Sequence, residues 1–314
     1  MLRQRVPAAD GLYMPRDILL HQASPPRAGT AAGDGRAAEP TPAAVMAKAG
    51  GENFPVAPWF LPRRVRRHLL AVYGYARLVD DVGDETADPL PLLDGIEAQV
   101  RRMYEPGAPA PDHPVLRELA ATVAACGLPA GPLLALVAAN RQDQTVQRYR
   151  RFEDLLAYCE LSANPVGHLV LHVFGRATPE RLRLADHVCT ALQLIEHWQD
   201  VAEDARRGRV YLPAEQLARF GCVEADLAAP HASPALRRLL ADEVDRAAGL
   251  LDLGAPLAAT LRGTARLAVA AFVAGGRAAI AAIRGAGHDV LAGPPRPARA
   301  RLAAEFVAAA ARGR

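Results

Sequence analysis

From Leu61 to the C-terminus, apolar residues recur every three or four positions, and proline or glycine interrupts this pattern at intervals of one helix length. Such spacing is typical of amphipathic helices, whereas alternating strand patterns and a fixed repeat are missing from the sequence. The predicted helices lie at 63–83, 90–104, 114–126, 130–148, 152–174, 178–206, 234–252, 256–284 and 296–312. Alanine and leucine, both good helix formers, dominate the composition. We therefore predict an all-α fold built as a single large helical bundle.

The N-terminal segment, residues 1–48, has a different composition, crowded with alanine, glycine and proline. A segment of this kind buries too little apolar area to offset the entropy lost on ordering, so we predict a disordered tail. Residues 49–314 are predicted to form the folded domain. Met46 lies just before the periodic region and leaves open a second possible start of the chain.

Charge and cysteine content argue against several classes of protein. The formal net charge is +3 over 314 residues, which gives no electrostatic reason to expect a nucleic acid partner. The four cysteines form no CxxC pair, so we expect free thiols in a reducing compartment. Gly285 and Gly287 follow a predicted helix rather than a strand, which favours a helix end over a dinucleotide-binding loop.

Membrane insertion is not indicated by the sequence. The basic N-terminus lacks an apolar stretch of signal-peptide length, and the apolar stretch 267–283 contains Arg277 and falls short of the roughly 20 residues of a spanning helix. We expect a cytoplasmic protein, or one bound peripherally to the inner face of a membrane. Residues 256–284 could touch a bilayer, but a place in the core of the bundle is the stronger expectation.

The first acidic segment lies near the end of the first predicted helix. Tyr73, Arg77, Asp80 or Asp81, and Asp84 share one helix face, because residues three or four positions apart are neighbours on a helix. Like charges at this spacing destabilise a helix by about 0.2–0.5 kcal/mol, so a compensating partner is expected.

The second acidic segment repeats the D-x-x-x-D spacing near the end of the predicted helix 178–206. Gln193, Glu196 or His197, Asp200 and Asp204 form its stripe. Each stripe alone is explained as well by a solvated helix face paired with arginines. Two such stripes together favour a site in which Mg²⁺ ions are held around a diphosphate. Arginine side chains would also stabilise the diphosphate as it leaves. The suitable arginines are Arg77, Arg206 and Arg209.

Several motifs, from about Glu52 to the C-terminus and in the expected order, resemble those of the squalene/phytoene synthase family. Asp80-Asp81-x-x-Asp84 is similar to its first aspartate-rich motif. Tyr158-Cys-Glu-Leu-Ser-Ala163-Asn-Pro-Val-Gly167 resembles its Tyr-Cys…Ala…Val-Gly signature. Gln193 through Asp204, followed by Arg-Gly-Arg-Val-Tyr-Leu-Pro, resembles its second motif.

The resemblance implies a bundle around a central cavity that accepts prenyl diphosphates and uses Mg²⁺, or Mn²⁺ in its place. It implies the metal ligands Asp80, Asp84, Asp200 and Asp204. It implies substrate contacts from Asn53, Phe54, Arg77, Ala163, Gly167, Arg209 and Tyr211. It places Tyr73, Tyr158 and Gln193 in the reaction chamber, and the residues predicted to be catalytic are these three together with Arg77 and Glu196. For Ala163 and Gly167, plain helix packing explains the small side chains equally well.

Departures from the family pattern narrow the expected reaction. The opening Glu52-Asn53-Phe54-Pro-Val replaces a His-Ser-Lys-Ser-Phe-like segment and resembles the hydroxysqualene synthase branch. Glu196 and Gln199 stand where asparagine and arginine are common in the family. The branch implies ionisation of presqualene diphosphate and capture of the cation by water, in squalene or hopanoid biosynthesis and without NADPH. Glu196 or its neighbour His197 would orient that water. Alternatively, Glu196 serves as an outer metal ligand and His197 packs in the core.

Two other functions remain open at this level. The first is the coupling of two prenyl diphosphates such as farnesyl diphosphate, as in squalene, phytoene or presqualene diphosphate synthesis. The second is a family relative without catalysis, which the presence of all four aspartates disfavours. Partner enzymes of the same pathway are a further expectation.

Overall fold

The computed structural model describes residue 57 and residues 60–311, and these residues form helices and turns without a strand. The all-α prediction is therefore confirmed. The tail, the boundary at residue 48, and Asn53 and Phe54 lie outside the described residues. The α-helices are α1 (Arg63–Glu85), α2 (Pro89–Arg102), α3 (Pro114–Cys126), α4 (Ala130–Gln142), α5 (Phe152–Ser162), α6 (Asn164–Val173), α7 (Pro179–Gln199), α8 (Val201–Arg206), α9 (Ala214–Phe220), α10 (Pro234–Gly254), α11 (Leu257–Thr260), α12 (Gly263–Gly285) and α13 (Arg299–Ala311).

Helix ends follow the proline and glycine positions of the sequence. Proline occupies the first or second position of α2, α3, α6, α7 and α10, where its missing N–H leaves no partner unsatisfied. Thr178 and Ser233 accept hydrogen bonds from the first turns of α7 and α10. Gly127 and Gly221 end α3 and α9 in the left-handed conformation. Most predicted boundaries agree with these ends.

Four predicted helices are interrupted or shorter than expected, and one of them, 256–284, is divided between Thr260 and Gly263. The predicted helix 130–148 ends at Gln142, and the chain beyond it forms turns and a parallel bridge between Arg148 and Val210. The predicted helix 152–174 is divided at Ala163, because Pro165 has no N–H to continue the ladder. The predicted helix 178–206 is divided at Asp200. The short helix α9 was not predicted.

Helix α7 is held at close range by glycines from three neighbouring helices. A Cβ on Gly254 of α10 would lie 2.7 Å from the backbone nitrogen of Val188, which real Cβ atoms do not tolerate. A Cβ on Gly167 of α6 would lie 2.6 Å from Cys189 Sγ, and a Cβ on Gly276 of α12 would lie within 3 Å of leucine side chains. Since α7 carries the second acidic segment at its C-terminal end, this packing fixes the position of that segment.

Helix α12 is, among the described residues, the one helix long and apolar enough to cross a membrane by length and composition. It nevertheless packs against α7, α10 and α13, and 61% of its apolar window is buried inside the protein. This packing supports the expectation that residues 256–284 belong to the core of the bundle. The helix ends at Gly285, and Gly287 beyond it has a φ of 60°, so these glycines mark a helix end as predicted.

Candidate active site

The first acidic segment lies at the C-terminal end of α1, where each carboxylate has a different environment. Asp81 faces inward and pairs with Arg77 across one helical turn, at 3.0 Å. Asp80 accepts a hydrogen bond from the side-chain amide of Asn140 on α4, at 3.0 Å. A Cβ on Gly83 would lie 2.4 Å from Asn140 Oδ1, so the small residue permits this approach. Burial raises the pKa of Asp80 to about 6 despite the hydrogen bond from Asn140.

Asp84 connects the first acidic segment to the second. Its Oδ1 lies 2.7 Å from a guanidinium nitrogen of Arg209, which is 125 residues away in sequence. The backbone N–H of Arg209 donates to the carbonyl of Asp204 at 2.8 Å. Arg209 is therefore in contact with both acidic segments, one through its side chain and the other through its backbone.

The second acidic segment is built on a break between two helices. Asp200 ends α7 and precedes α8, with φ and ψ of −103° and 14°. The N–H of Asp204 still donates to the carbonyl of Asp200 at 2.9 Å, which keeps the two residues one turn apart. Burial raises the pKa of Asp204 to about 7, and the negative charge of Asp200 adds to this shift. The predicted spacing is confirmed, but the prediction of one continuous helix is wrong.

His197 lies between the second acidic segment and an aromatic wall. Its ring stacks on Tyr211 with centroids 3.6 Å apart and planes within 13°. Burial, together with the charge of Arg209, lowers its pKa to about 3, so the imidazole is neutral. The Gln193 side-chain N–H donates to His197 Nε2 at 3.2 Å. The hydrogen of the neutral ring is then on Nδ1, which lies 3.9 Å from Asp204 Oδ2.

Three tyrosines extend the wall that begins with His197. The rings of Tyr149, Tyr158 and Tyr211 have centroids 5.6 to 6.0 Å apart, and Tyr158 lies 6.3 Å from the His197 ring. A small pocket opens beside this wall. It is lined by His197, Val201, Asp204, Arg209, Val210, Tyr211, Leu212 and Leu227. The pocket thus combines neutral ring faces with one carboxylate and one guanidinium.

A polar group at the end of α4 belongs to the same site and was missed in the sequence. Asn140 binds Asp80, and Gln144 donates to the carbonyl of Gly83 at 3.1 Å. Asp143 accepts a hydrogen bond from the Tyr158 hydroxyl at 2.8 Å. The predicted helix 130–148 ran past these residues. A run of polar side chains at the end of an apolar helix was the signal that could have found them.

The remaining predicted residues occupy different places. Tyr73 is partly buried on α1, and Ala163 is buried at the break between α5 and α6. Gly167 meets Cys189, which supports its explanation as a packing residue. Glu196 is exposed, whereas its neighbour His197 is buried. Trp198 is fully buried in the core, and the four cysteines are free as predicted.

The donor set at this site fits a divalent cation. Carboxylate oxygens are the ligands that Mg²⁺ prefers in proteins. The raised pKa values of Asp80 and Asp204 indicate buried negative charge that a cation would stabilise. Within residues 60–311, no three Asp, Glu, His or Cys side chains are already arranged as a metal-binding group. The four aspartates therefore remain predicted ligands.

The fold is that of an isoprenoid synthase. A family model described as squalene/phytoene synthase matches residues 47–304, and the chain belongs to that family. A hydroxysqualene synthase of Rhodopseudomonas palustris is 38% identical over 67% of this chain and 72% of its own length. A presqualene diphosphate synthase of the same organism is 32% identical over 67% of this chain and 75% of its own length.

Solved structures agree with this assignment. The squalene synthase HpnC of Alicyclobacillus acidocaldarius superposes with a TM-score of 0.71 at 42% identity, covering 77% of this chain and 92% of its own. A dehydrosqualene synthase at 23% identity, with a TM-score of 0.73, shares the fold and covers 79% and 87% of the two chains. Members of the family are enzymes that depend on divalent metal ions and act on prenyl diphosphates.

Proposed function

We propose that this protein is a hydroxysqualene synthase, which converts presqualene diphosphate and water into hydroxysqualene and inorganic diphosphate. The observation that carries this proposal is the pairing of Asp84 with Arg209, which brings the two acidic segments together beside a wall of neutral rings. Three relatives named hydroxysqualene synthase, at 32% to 38% identity, support the choice of reaction within the family.

The first step is heterolysis of the carbon–oxygen bond to the diphosphate. Asp80, Asp84, Asp200 and Asp204 would hold Mg²⁺ here, and the bound metal would supply positive charge that stabilises the leaving group. Arg209 is positioned to contact the same anion, since it already lies between the segments. Arg77 pairs with Asp81 at 3.0 Å. It lies on the face of α1 that carries Asp80 and Asp84, so its guanidinium is also available to the diphosphate.

The rearranged carbocation is then captured by water. A carbon–oxygen bond forms, one proton leaves the attacking water, and no electrons are gained or lost overall. The reaction therefore requires no nicotinamide. The wall presents ring faces rather than charged groups, from Tyr158, Tyr211 and the neutral His197. These rings stabilise the carbocation through cation–π contacts and offer it no nucleophile that would react before water does.

Separate incubations with two substrates test this proposal. Purified protein and Mg²⁺ are combined with presqualene diphosphate or with farnesyl diphosphate, in water enriched in ¹⁸O, and the products are identified by mass spectrometry. We expect hydroxysqualene carrying one ¹⁸O from presqualene diphosphate, and no product from farnesyl diphosphate alone. Turnover of farnesyl diphosphate to presqualene diphosphate would instead assign the coupling reaction. Asp80→Asn serves as the inactive control.

Because substrate and product are both lipids, we further propose that the protein works at the inner face of a membrane while remaining in the cytoplasm. Co-sedimentation with anionic phospholipid vesicles would test this point. Recovery of all the protein in the supernatant would oppose it.

A further inference from the structure

Asp143 lies at the site but belongs to neither aspartate motif. It follows the last residue of α4, three positions after Asn140 and one before Gln144. Both of those neighbours hydrogen-bond to the acidic end of α1, through Asp80 and Gly83. Asp143 is therefore placed by the same contacts that hold the first acidic segment.

The two carboxylate oxygens of Asp143 are used differently. Oδ2 accepts the hydrogen bond of the Tyr158 hydroxyl at 2.8 Å. Oδ1 is buried and has no hydrogen-bond partner among the described residues. Only 8% of the residue is exposed. An unsatisfied buried oxygen costs about 1–3 kcal/mol, and more when it is charged, so such an atom normally has a ligand in the working state.

The charges around Asp143 indicate what that ligand is. Arg209, Asp84 and Asp80 all act on its carboxylate. Two further carboxylates thus act on Asp143, and the arginine that offsets them there already pairs directly with Asp84 at 2.7 Å. A hydrated divalent cation would supply both positive charge and water hydrogens to such a group.

We propose that Asp143 is a positioning residue of the metal–diphosphate site, whose Oδ1 accepts a hydrogen bond from the hydration shell of a bound divalent cation. The inference rests on one part of the proposed function, namely that the site holds a divalent metal with diphosphate. A purely structural role, in which Asp143 only anchors the Tyr158 hydroxyl, makes a different prediction.

Binding of a preformed Mn²⁺–pyrophosphate complex, measured by isothermal titration calorimetry, separates the two roles. Asp143→Asn keeps the size of the side chain and removes its charge, and we expect it to weaken binding by about tenfold or more. Tyr158→Phe removes the hydroxyl and leaves the carboxylate, so its affinity should stay within about threefold of wild type. Thermal melts confirm that the variants are folded, and Asp143→Ser replaces Asp143→Asn if the latter is not.

Glu243→Gln is the matched control for this experiment. Glu243 is also a fully buried acid whose carboxylate oxygens have no partner among the described residues, but it lies on α10, where the charged groups that act on it are Arg246, Asp242, Glu215 and Arg219. Its substitution should leave the affinity for Mn²⁺–pyrophosphate unchanged.

Wild-type affinity in Asp143→Asn would overturn the proposal. Equal losses in Asp143→Asn and Tyr158→Phe would also overturn it, in favour of the structural role. So would failure of the wild-type protein to bind the complex. Binding by the wild type without turnover of presqualene diphosphate would instead remove the proposed reaction and leave the role of Asp143 standing.

Discussion

At the end of α1, the carboxylates of the first acidic segment are held by neighbours: Asp80 by Asn140 and Asp84 by Arg209. At the junction of α7 and α8, Asp204 lies 3.9 Å from a His197 ring that is neutral, beyond hydrogen-bond distance. The two segments share the D-x-x-x-D spacing, but Asp84 of the first pairs directly with Arg209, whereas the ring that lies beside Asp204 of the second carries no charge.

This difference indicates how the two halves of the site respond to a cation. The first segment must give up or share Arg209 when a metal binds to Asp84. The second segment already carries a destabilising charge, since burial raises the pKa of Asp204 to about 7. Cation binding therefore stabilises the buried charge of Asp204 at the second segment, whereas at the first segment the cation replaces Arg209 as the partner of Asp84.

The largest effect is expected for Asp204→Asn. Removal of this predicted metal ligand should lower turnover by about a thousandfold. At pH 8 the same change should raise the thermal midpoint of the metal-free protein, because it removes a buried charge that folding disfavours. Steady-state kinetics and calorimetric melts measure the two effects. A lower midpoint would contradict the comparison.

A smaller loss, about a hundredfold in turnover, is expected for Arg209→Gln. In the metal-free protein, Arg209 and Asp84 are partly exposed, with 20% and 38% of their side chains accessible. A double-mutant cycle with Asp84→Asn should therefore give a coupling of about 0.5 kcal/mol in the free energy of unfolding. A coupling several times larger would mean that the pair is a structural element rather than an exchangeable one.

Glu243→Gln sharpens the comparison with a buried acid outside the site. Burial raises the pKa of Glu243 to about 7, from about 4.5 in the unfolded chain. The native state then binds the extra proton, so this contribution to stability is full below pH 4.5 and is lost as pH rises through 7. The variant should melt increasingly above wild type between pH 5 and pH 8, without change in turnover. A pH-independent difference in midpoint would contradict this pKa.

Among the variants at the site, the smallest loss of turnover is expected for Glu196→Ala. The exposed position of Glu196 contrasts with the buried, stacked position of His197. We expect less than about a threefold change in hydroxysqualene formation, since an exposed side chain contributes little to a water-excluded site. Product analysis of Glu196→Ala beside His197→Phe tests this order. A larger loss in Glu196→Ala would restore the sequence-based role of Glu196 in water capture.

The sequence predicted most of this fold because its helices are bounded locally. Proline at helix starts and glycine at helix ends are read without knowledge of tertiary contacts, and α3 was predicted with the bounds it has. The break at Asp200 was missed, because no proline or glycine marks it.

Residues of the site could be predicted from the sequence only where they follow a regular spacing along the chain. The two aspartate pairs were found from the D-x-x-x-D spacing. Arg209 was predicted as a substrate contact, but its pairing with Asp84 spans 125 residues, and the roles of Asn140 and Asp143 depend on a contact over 60 residues or on the burial of one oxygen. Such contacts leave no local pattern in a single sequence, so the structure was required to find them.

A crystal structure of the protein with Mg²⁺ and inorganic pyrophosphate tests the central claim most directly. We predict metal ions bound by carboxylates of both acidic segments, with Arg209 moved from Asp84 to a phosphate oxygen. Metal bound to one segment alone, with the Arg209 to Asp84 pair still at 2.7 Å, would contradict the account.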